Sequence, residues 1–395
     1  MYLRFPRFGI TGLFVCALAA VLLGGARQAA AYPQFQFSSG TNRCSQCHYS
    51  PGGGGLLTSW GRDESGDTIS LGGDGAFLHG LVSLPSQLQL GGDFRYAFTN
   101  TDVGSPAGSE FKHFPMQGDL YVRGAFTESV SLNVTLGVRG AVRLDDGDSQ
   151  LGTVAERFMS REHYLMWRPS ATGPYVRAGR FFAPYGLRFV EHIYYVRRYT
   201  GFNLYEETYN LAGGFVGDEF EAHATLFAPV PTALPDQLRS VGPREYGVAG
   251  YGEYRIAKMS ALAGQFRAGV GSIESRYQLG GVGKLWVEQA KLLFLGEADF
   301  IRQQFNGAAG QNQFVSYLGA NLLLTRGLML GVAYERFQSN LAVRGTGRNA
   351  YDFQLNFFPW AHCEMVLLGR YQITGSGSTD GASASLLMLQ LHYYL

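Results

Sequence analysis

Cysteine is scarce in this chain. Four occur in 395 residues, Cys16, Cys44, Cys47 and Cys363, too few for the disulfide framework of a small secreted scaffold. Net charge is almost missing too, at +1. That removes the basic footprint of a nucleic-acid-binding protein and gives no pull toward an acidic polymer. Beyond residue 31 there is no long apolar run, so nothing there reads as a membrane-spanning helix. No Ser-His-Asp arrangement and no pair of glycosidase-type carboxylates stands out, so bond-making catalysis has no visible machinery.

Glycine and aromatic residues are abundant. There are 54 glycines, 23 tyrosines and 28 phenylalanines. With no spanning helix, that composition fits either a soluble β protein or an outer-membrane barrel. The N-terminus speaks for export. Arg4 and Arg7 precede the apolar run "GITGLFVCALAAVLLGG", and small residues end at Ala31. This is the layout of a signal peptide over 1–31, with Cys16 lost in it and the mature chain beginning near Tyr32.

Periodicity favours the barrel. In "SLNVTLGVRGAVR", Leu132, Val134, Leu136, Val138 and Val142 fall on one face, and Asn133, Thr135, Arg139 and Arg143 on the other. "QLQLGGDFRYAF" sets Leu88, Leu90, Phe94, Tyr96 and Phe98 against Gln87, Gln89, Asp93 and Arg95, and "DLYVRGAF" repeats the pattern. A period of two with charge on the inner face suits a strand between lipid and water, which needs about 9–11 residues. Counting such segments from 87–99 to 384–395 predicts a transmembrane antiparallel β-barrel of about 16 strands over 86–395. Tight turns at "FTESVSL", "RPSATGP", "FVGDEF", "LTRGL" and "FPWAH" alternate with longer polar connections at 100–115, 144–157, 184–203, 230–244, 304–312, 339–349 and 374–383. Short periplasmic turns and longer external loops are the outer-membrane pattern, and they put both barrel ends in the periplasm. The last strand, "LLMLQLHYYL", resembles the assembly signal of such barrels.

Residues 32–85 carry the chemistry. Cys44-Ser45-Gln46-Cys47-His48 has the C-x-x-C-H spacing for covalent attachment of one c-type haem. The two thiols add to the porphyrin vinyl groups and His48 reaches the iron. A zinc site would need a second ligand pair, a thioredoxin-like pair a βαβ context, and neither is visible. A plain Cys44–Cys47 disulfide is the remaining alternative. The segment falls short of the roughly 70–80 residues that hold a core unaided, and it contains "PGGGG" and "LGGDG". It is therefore expected to pack in the barrel lumen or at its periplasmic mouth.

The sixth iron ligand is open. His79 is one candidate, a lumen donor such as His163, His192 or His223 another, and an unfilled position the third. His113 reads as a polar residue beside an outer loop, and Cys363 as an unreactive small side chain. Arg95, Arg123 and Arg139 share the lumen face of the first three strands and are expected to meet the plug or the haem propionates.

The chain resembles the fused outer-membrane monohaem cytochrome–porins of iron-oxidising bacteria. The likeness is carried by "YPQFQFSSGTNRCSQCHYSPGGGGLLTSWGRD", with Pro33, Phe35, the haem motif, Pro51, Leu57 and the triplet Trp60-Gly61-Arg62. "AGRFFAPYGLRF" at 178–189 is similar to the Gly-Arg-x-x-x-Pro-x-Gly element of many porins. The resemblance implies an electron-transfer protein rather than a bond-making enzyme. Extracellular Fe(II), or another redox donor, would give electrons to the haem, and a periplasmic c-type cytochrome or other soluble carrier would take them. Outer-membrane lipids would surround the barrel, and nucleic acid has no part. Asp145, Asp146 and Asp148 could guide a cation but also read as a solvated turn, and Glu297 and Asp299 read as a lumen charge ladder. The alternatives are a diffusion porin with a haem-bearing plug or sensor segment, and an adhesin or structural barrel.

The haem assignment is checked by Cys44→Ala combined with Cys47→Ala. Covalent haem staining is expected to vanish while the barrel still reaches the outer membrane. A double variant that keeps covalent haem contradicts the assignment.

Overall fold

The computed structural model describes residues 43–104, 108–138, 142–143, 149–150, 158–203, 206–230, 245–257, 259–376 and 381–395. Asp145, Asp146, Asp148, Arg139 and the leader with Cys16 lie outside them. Sixteen antiparallel strands close into a barrel. In chain order they are β1 Leu88–Asp102, β2 Glu110–Ala125, β3 Val130–Val138, β4 Phe158–Trp167, β5 Gly173–Phe181, β6 Thr208–Val216, β7 Phe220–Ala228 and β8 Glu245–Ala257. They continue as β9 Ser260–Gly271, β10 Glu274–Val287, β11 Leu292–Phe305, β12 Gln311–Thr325, β13 Leu328–Gln338, β14 Gly347–Trp360, β15 Cys363–Ser376 and β16 Ala382–Tyr394. Each pairs with its neighbours in sequence, and β1 closes on β16 from Asp93↔Tyr394 to Asp102↔Ser385. Closure leaves no strand edge unpaired, which a sheet in lipid requires.

The alternation read from the sequence has its physical basis in the two environments. Along β3, Ser131, Asn133 and Thr135 are buried in the lumen, while Leu132 faces outward. Leu165, Leu226, Leu262, Leu318 and Val332 continue the exposed apolar surface around the barrel. Inside, charges pair along the wall: Arg267 with Glu245 on the neighbouring strand at 2.6 Å, and, two strands apart, Arg276 with Glu245 at 2.8 Å, Lys284 with Glu253 at 2.7 Å and Arg370 with Glu335 at 2.8 Å.

The short turns cluster at one end. Two are two-residue turns with a left-handed residue, Gly327 at φ 79 and His362 at φ 68, as a tight hairpin needs. At the other end the connections are longer, 272–273 excepted. One long connection departs from expectation. Residues 182–203 do not form an external polar loop but fold into the lumen. Tyr185, Leu187, Phe189, Tyr194, Tyr195 and Val196 are no more than 4% exposed. The segment carries too much aromatic and aliphatic surface to lie in water, and the lumen is where it is buried.

Epitope tags check the orientation. A tag after Gly307 is expected to be reachable on intact cells, and one after Ser170 only after the outer membrane is permeabilised. The reverse pattern would invert the barrel.

Candidate functional site

The segment before the barrel is assembled around the cysteine motif. Cys44–Cys47 forms one helical turn, α1, and His48 leaves it in extended conformation, bridged to Leu57. Thr58 ties this turn to the next helix, α2, Ser59–Glu64. Its N–H donates to the Cys47 carbonyl at 2.8 Å, its hydroxyl donates to the Gln46 carbonyl at 2.8 Å, and the same oxygen caps α2 by accepting from the Gly61 N–H at 3.1 Å. Gly61 is required by closeness: a Cβ there would overlap the Cys47 carbonyl oxygen. The triplet Trp60-Gly61-Arg62 is thus the place where α2 lies against the motif.

The barrel's short-turn end grips this segment. Arg326 donates to the carbonyls of Ser70 and Gly66 at 2.6 and 2.8 Å. Leu71 N–H reaches the Phe358 carbonyl at 3.0 Å, and Ala361 N–H reaches that of Gly72 at 2.8 Å. Arg43 pairs with Asp218 in the β6–β7 turn at 2.6 Å. Arg168, in the β4–β5 turn, donates to the Tyr49 carbonyl at 3.3 Å; deeper in, the Arg123 guanidinium lies 4.5 Å above the Tyr49 ring and Arg177 donates to the Ser50 hydroxyl at 3.3 Å. The segment therefore stoppers the short-turn mouth, and two of its clamps come from lumen arginines.

Between stopper and inward loop lies a cavity of about 260 Å³. Cys44, Cys47 and His48 all line it, and His48 is the one imidazole on its lining among the described residues. Both thiols are free. Burial, and then the neighbouring Cys44, push the Cys47 thiol up to about 12. Gly53, Gly54 and Gly55 line the same space with φ of 77, 75 and 63, a left-handed run that other residues would strain to adopt. A Cβ on Gly53 would stand 3.1 Å from the Cys44 Cβ, whereas at Gly54 and Gly55 it would meet open space. Arg188, at φ 59, contacts the Cys44 sulfur at 3.5 Å and is held by Glu221 at 3.2 Å. Leu57, Ile69, Leu187 and Phe189 add apolar wall, and Arg95 and Arg161 add guanidinium. Two thiols, one imidazole, a side-chain-free glycine wall, apolar walls and cations suit a covalently attached macrocycle bearing carboxylates. The residues present fit a c-type haem.

The histidines suggested for the far side of the iron lie off this lining. His79 sits at the short-turn rim with its ring edge-on to His362, centroids 4.6 Å apart, and its Nε2 is 3.4 Å from the Tyr393 hydroxyl. His163 bonds Ser160 and Tyr209, both at 2.9 Å. His223 bonds Tyr175 at 2.8 Å and Glu221 at 3.2 Å. His192 belongs to the inward loop. His113 stacks on Phe98 near the outer loops, and Cys363 stands opposite Tyr393 at the start of β15.

Sequence reasoning assigned Glu297 and Asp299 to a ladder of charges, and their work is different. Glu297 accepts from Leu187 N–H at 2.7 Å, Asp299 from the Tyr185 hydroxyl at 2.7 Å, and Gln265 bridges both while its oxygen accepts from Gly186 N–H at 2.7 Å. Neither carboxylate has an ion pair among the described residues. A Cβ on Gly186 would overlap the Glu297 carboxylate. The Pro-x-Gly part of the porin-like element is therefore the tip that this clasp holds, and its Gly179 passes so close to Tyr164 that a Cβ would collide.

Gly61→Ala is expected to cost about 1–3 kcal/mol of local packing and to loosen the stopper without unfolding the barrel. Limited proteolysis of the purified protein checks this: cleavage between residues 43 and 85 should rise while the strands stay protected.

No family model and no curated protein sequence matches this chain. Solved structures do. The anion-selective porin from Comamonas acidovorans aligns with a TM-score of 0.58 at 12% identity, over 78% of this chain and 99% of that one. OmpT of Vibrio cholerae aligns at 0.57 and 10% identity, over 80% and 100%, and OprB of Pseudomonas putida at 0.58 and 9%, over 78% and 94%. Identities this low show a shared fold. With the apolar outer belt, that fold makes the chain a porin-like β-barrel of the Gram-negative outer membrane.

Proposed function

We propose that this chain is an electron-transfer protein of the outer membrane, carrying one covalent c-type haem in the lumen. On this reading residues 1–31 are removed on export, 32–85 form the haem segment, and 86–395 the barrel. One observation carries it: both thiols and the imidazole of the C-x-x-C-H motif line a single cavity. Cys44 and Cys47 would hold the group and His48 would ligate its iron. When bound, the haem supplies reversible one-electron chemistry. The chain's own contribution is placement. α2 and Thr58 fix the motif, Arg326 and Asp218 moor it at the periplasmic end, and the inward loop shields it from the aqueous lumen.

That placement suits delivery of electrons to a soluble periplasmic c-type cytochrome. Extracellular Fe(II) is the donor that the family resemblance suggests. A second reading is a diffusion porin whose haem segment is a plug or sensor, favoured by the fold shared with porins over 78–80% of the chain.

Stopped-flow absorbance of the purified holoprotein separates the two. Mixing with Fe(II) should reduce the haem, and added oxidised periplasmic-type cytochrome c should reoxidise it. A haem that neither Fe(II) nor the cytochrome touches, in a barrel that conducts ions freely in planar bilayers, would establish the porin reading instead.

A further inference from the structure

One lumen guanidinium on the cavity wall has no carboxylate within ion-pair distance among the described residues. Arg197, in the helical turn α3, Tyr195–Arg198, lines the cavity. It donates only to carbonyls of its own loop, Phe189 at 2.5 Å, Val190 at 2.6 Å and Phe202 at 3.1 Å. It has no ion pair among the described residues. Glu207 and Glu191 are the acids whose charge reaches it, and most acids on the lining are engaged elsewhere. Asp93 holds Arg95 at 3.0 Å, Asp119 holds Arg161 at 2.5 Å, Glu207 also takes Arg161 at 3.4 Å, and Glu297 holds the loop tip. Glu162 is the remaining acid on the lining.

The cations crowd one another. Burial, and then Arg161, lower the Arg197 guanidinium to about 10. Burial, followed by Arg197, Arg95 and Arg198, lowers the nearby His192 to about 4. His192 is therefore neutral near pH 7, and the positive field comes from the arginines. Holding a cation out of bulk water without a partner is costly. An anion entering the cavity would relieve that cost, and a guanidinium matches a planar carboxylate in two parallel hydrogen bonds.

We propose that Arg197, backed by Arg95 and Arg161, is a carboxylate-binding site of the lumen cavity, filled in the mature chain by the haem propionates. The identity of the carboxylate rests on the haem reading above; the site itself does not.

The test uses the full-length outer-membrane protein with Arg197→Gln, Arg197→Lys and, as a control at the outer rim, Arg302→Gln. In the holoprotein, Arg197→Gln should shift the propionate-bending band in resonance Raman spectra. It should also lower the midpoint potential, because loss of a nearby positive charge favours the oxidised iron. Arg197→Lys, which keeps the charge but loses the planar fork, should hold the potential near that of the parent while moving the band. Arg302→Gln should move neither readout. If Arg197→Gln leaves band and potential unchanged, the site is wrong. Should Arg197→Gln fail to fold, an unshifted band in Arg197→Lys overturns the site equally. If the purified chain carries no haem, the haem reading falls by itself and succinate becomes the probe. Thermal stabilisation by succinate that is lost in Arg197→Gln would then support a site for free carboxylates. Stabilisation that is absent, or indifferent to Arg197, would overturn the proposal.

Discussion

The lumen is organised by carboxylates of the barrel wall accepting hydrogen bonds from the backbone of a loop. Glu297 takes the Leu187 N–H, and Glu335, on the far side, takes the Tyr195 N–H. Asp299 and Gln354 add the hydroxyls of Tyr185 and Tyr194. An apolar segment can stay inside a polar barrel only if its backbone groups are satisfied there, and these acceptors satisfy them. Once the loop is pinned, it forms a wall. The stopper segment supplies the opposing one, and the cavity with the cysteine motif is what lies between.

The stopper depends on the barrel in the same way. Its turns are short, its helices cover one or two turns, and its moorings are mostly barrel side chains and turn carbonyls far away in sequence. Arg326 and Gly66 are an example; so are His362 and the Ala76 carbonyl, 3.0 Å apart. Such a segment gains its order from the mouth it closes. That matches the physical limit on small cores and explains why so many glycines are tolerated. At Gly61 and Gly53 the missing Cβ is what permits close approach.

The strands were legible in the sequence because lipid and lumen impose opposite demands on alternate residues. β3 shows it in Leu132 outside and Asn133 inside. The cysteine motif stood out by its C-x-x-C-H spacing, and the fold sets Cys44, Cys47 and His48 on one cavity. Arg123 was legible as a lumen charge, though its partner, the Tyr49 ring, was not. The inward course of 182–203 was hidden because its partners, Glu297 and Glu335, lie 110 and 140 residues beyond the groups they hold. Its signal was present in the density of aromatics, among them Tyr194, Tyr195 and Tyr199, in what otherwise read as an external loop. His79 is a case where local pattern says little. It stands out as a lone histidine near the motif, yet the fold sets it against His362 and Tyr393, which no local pattern could reveal.

Whether the cavity between stopper and loop holds a covalent haem is tested most directly by intact-mass spectrometry. The protein is purified from outer membranes of a cell that matures c-type cytochromes. A single species with the mass of the mature polypeptide plus one haem is the expected result. A species with the polypeptide mass alone, in which both Cys44 and Cys47 can be alkylated after unfolding, would contradict a haem in this cavity.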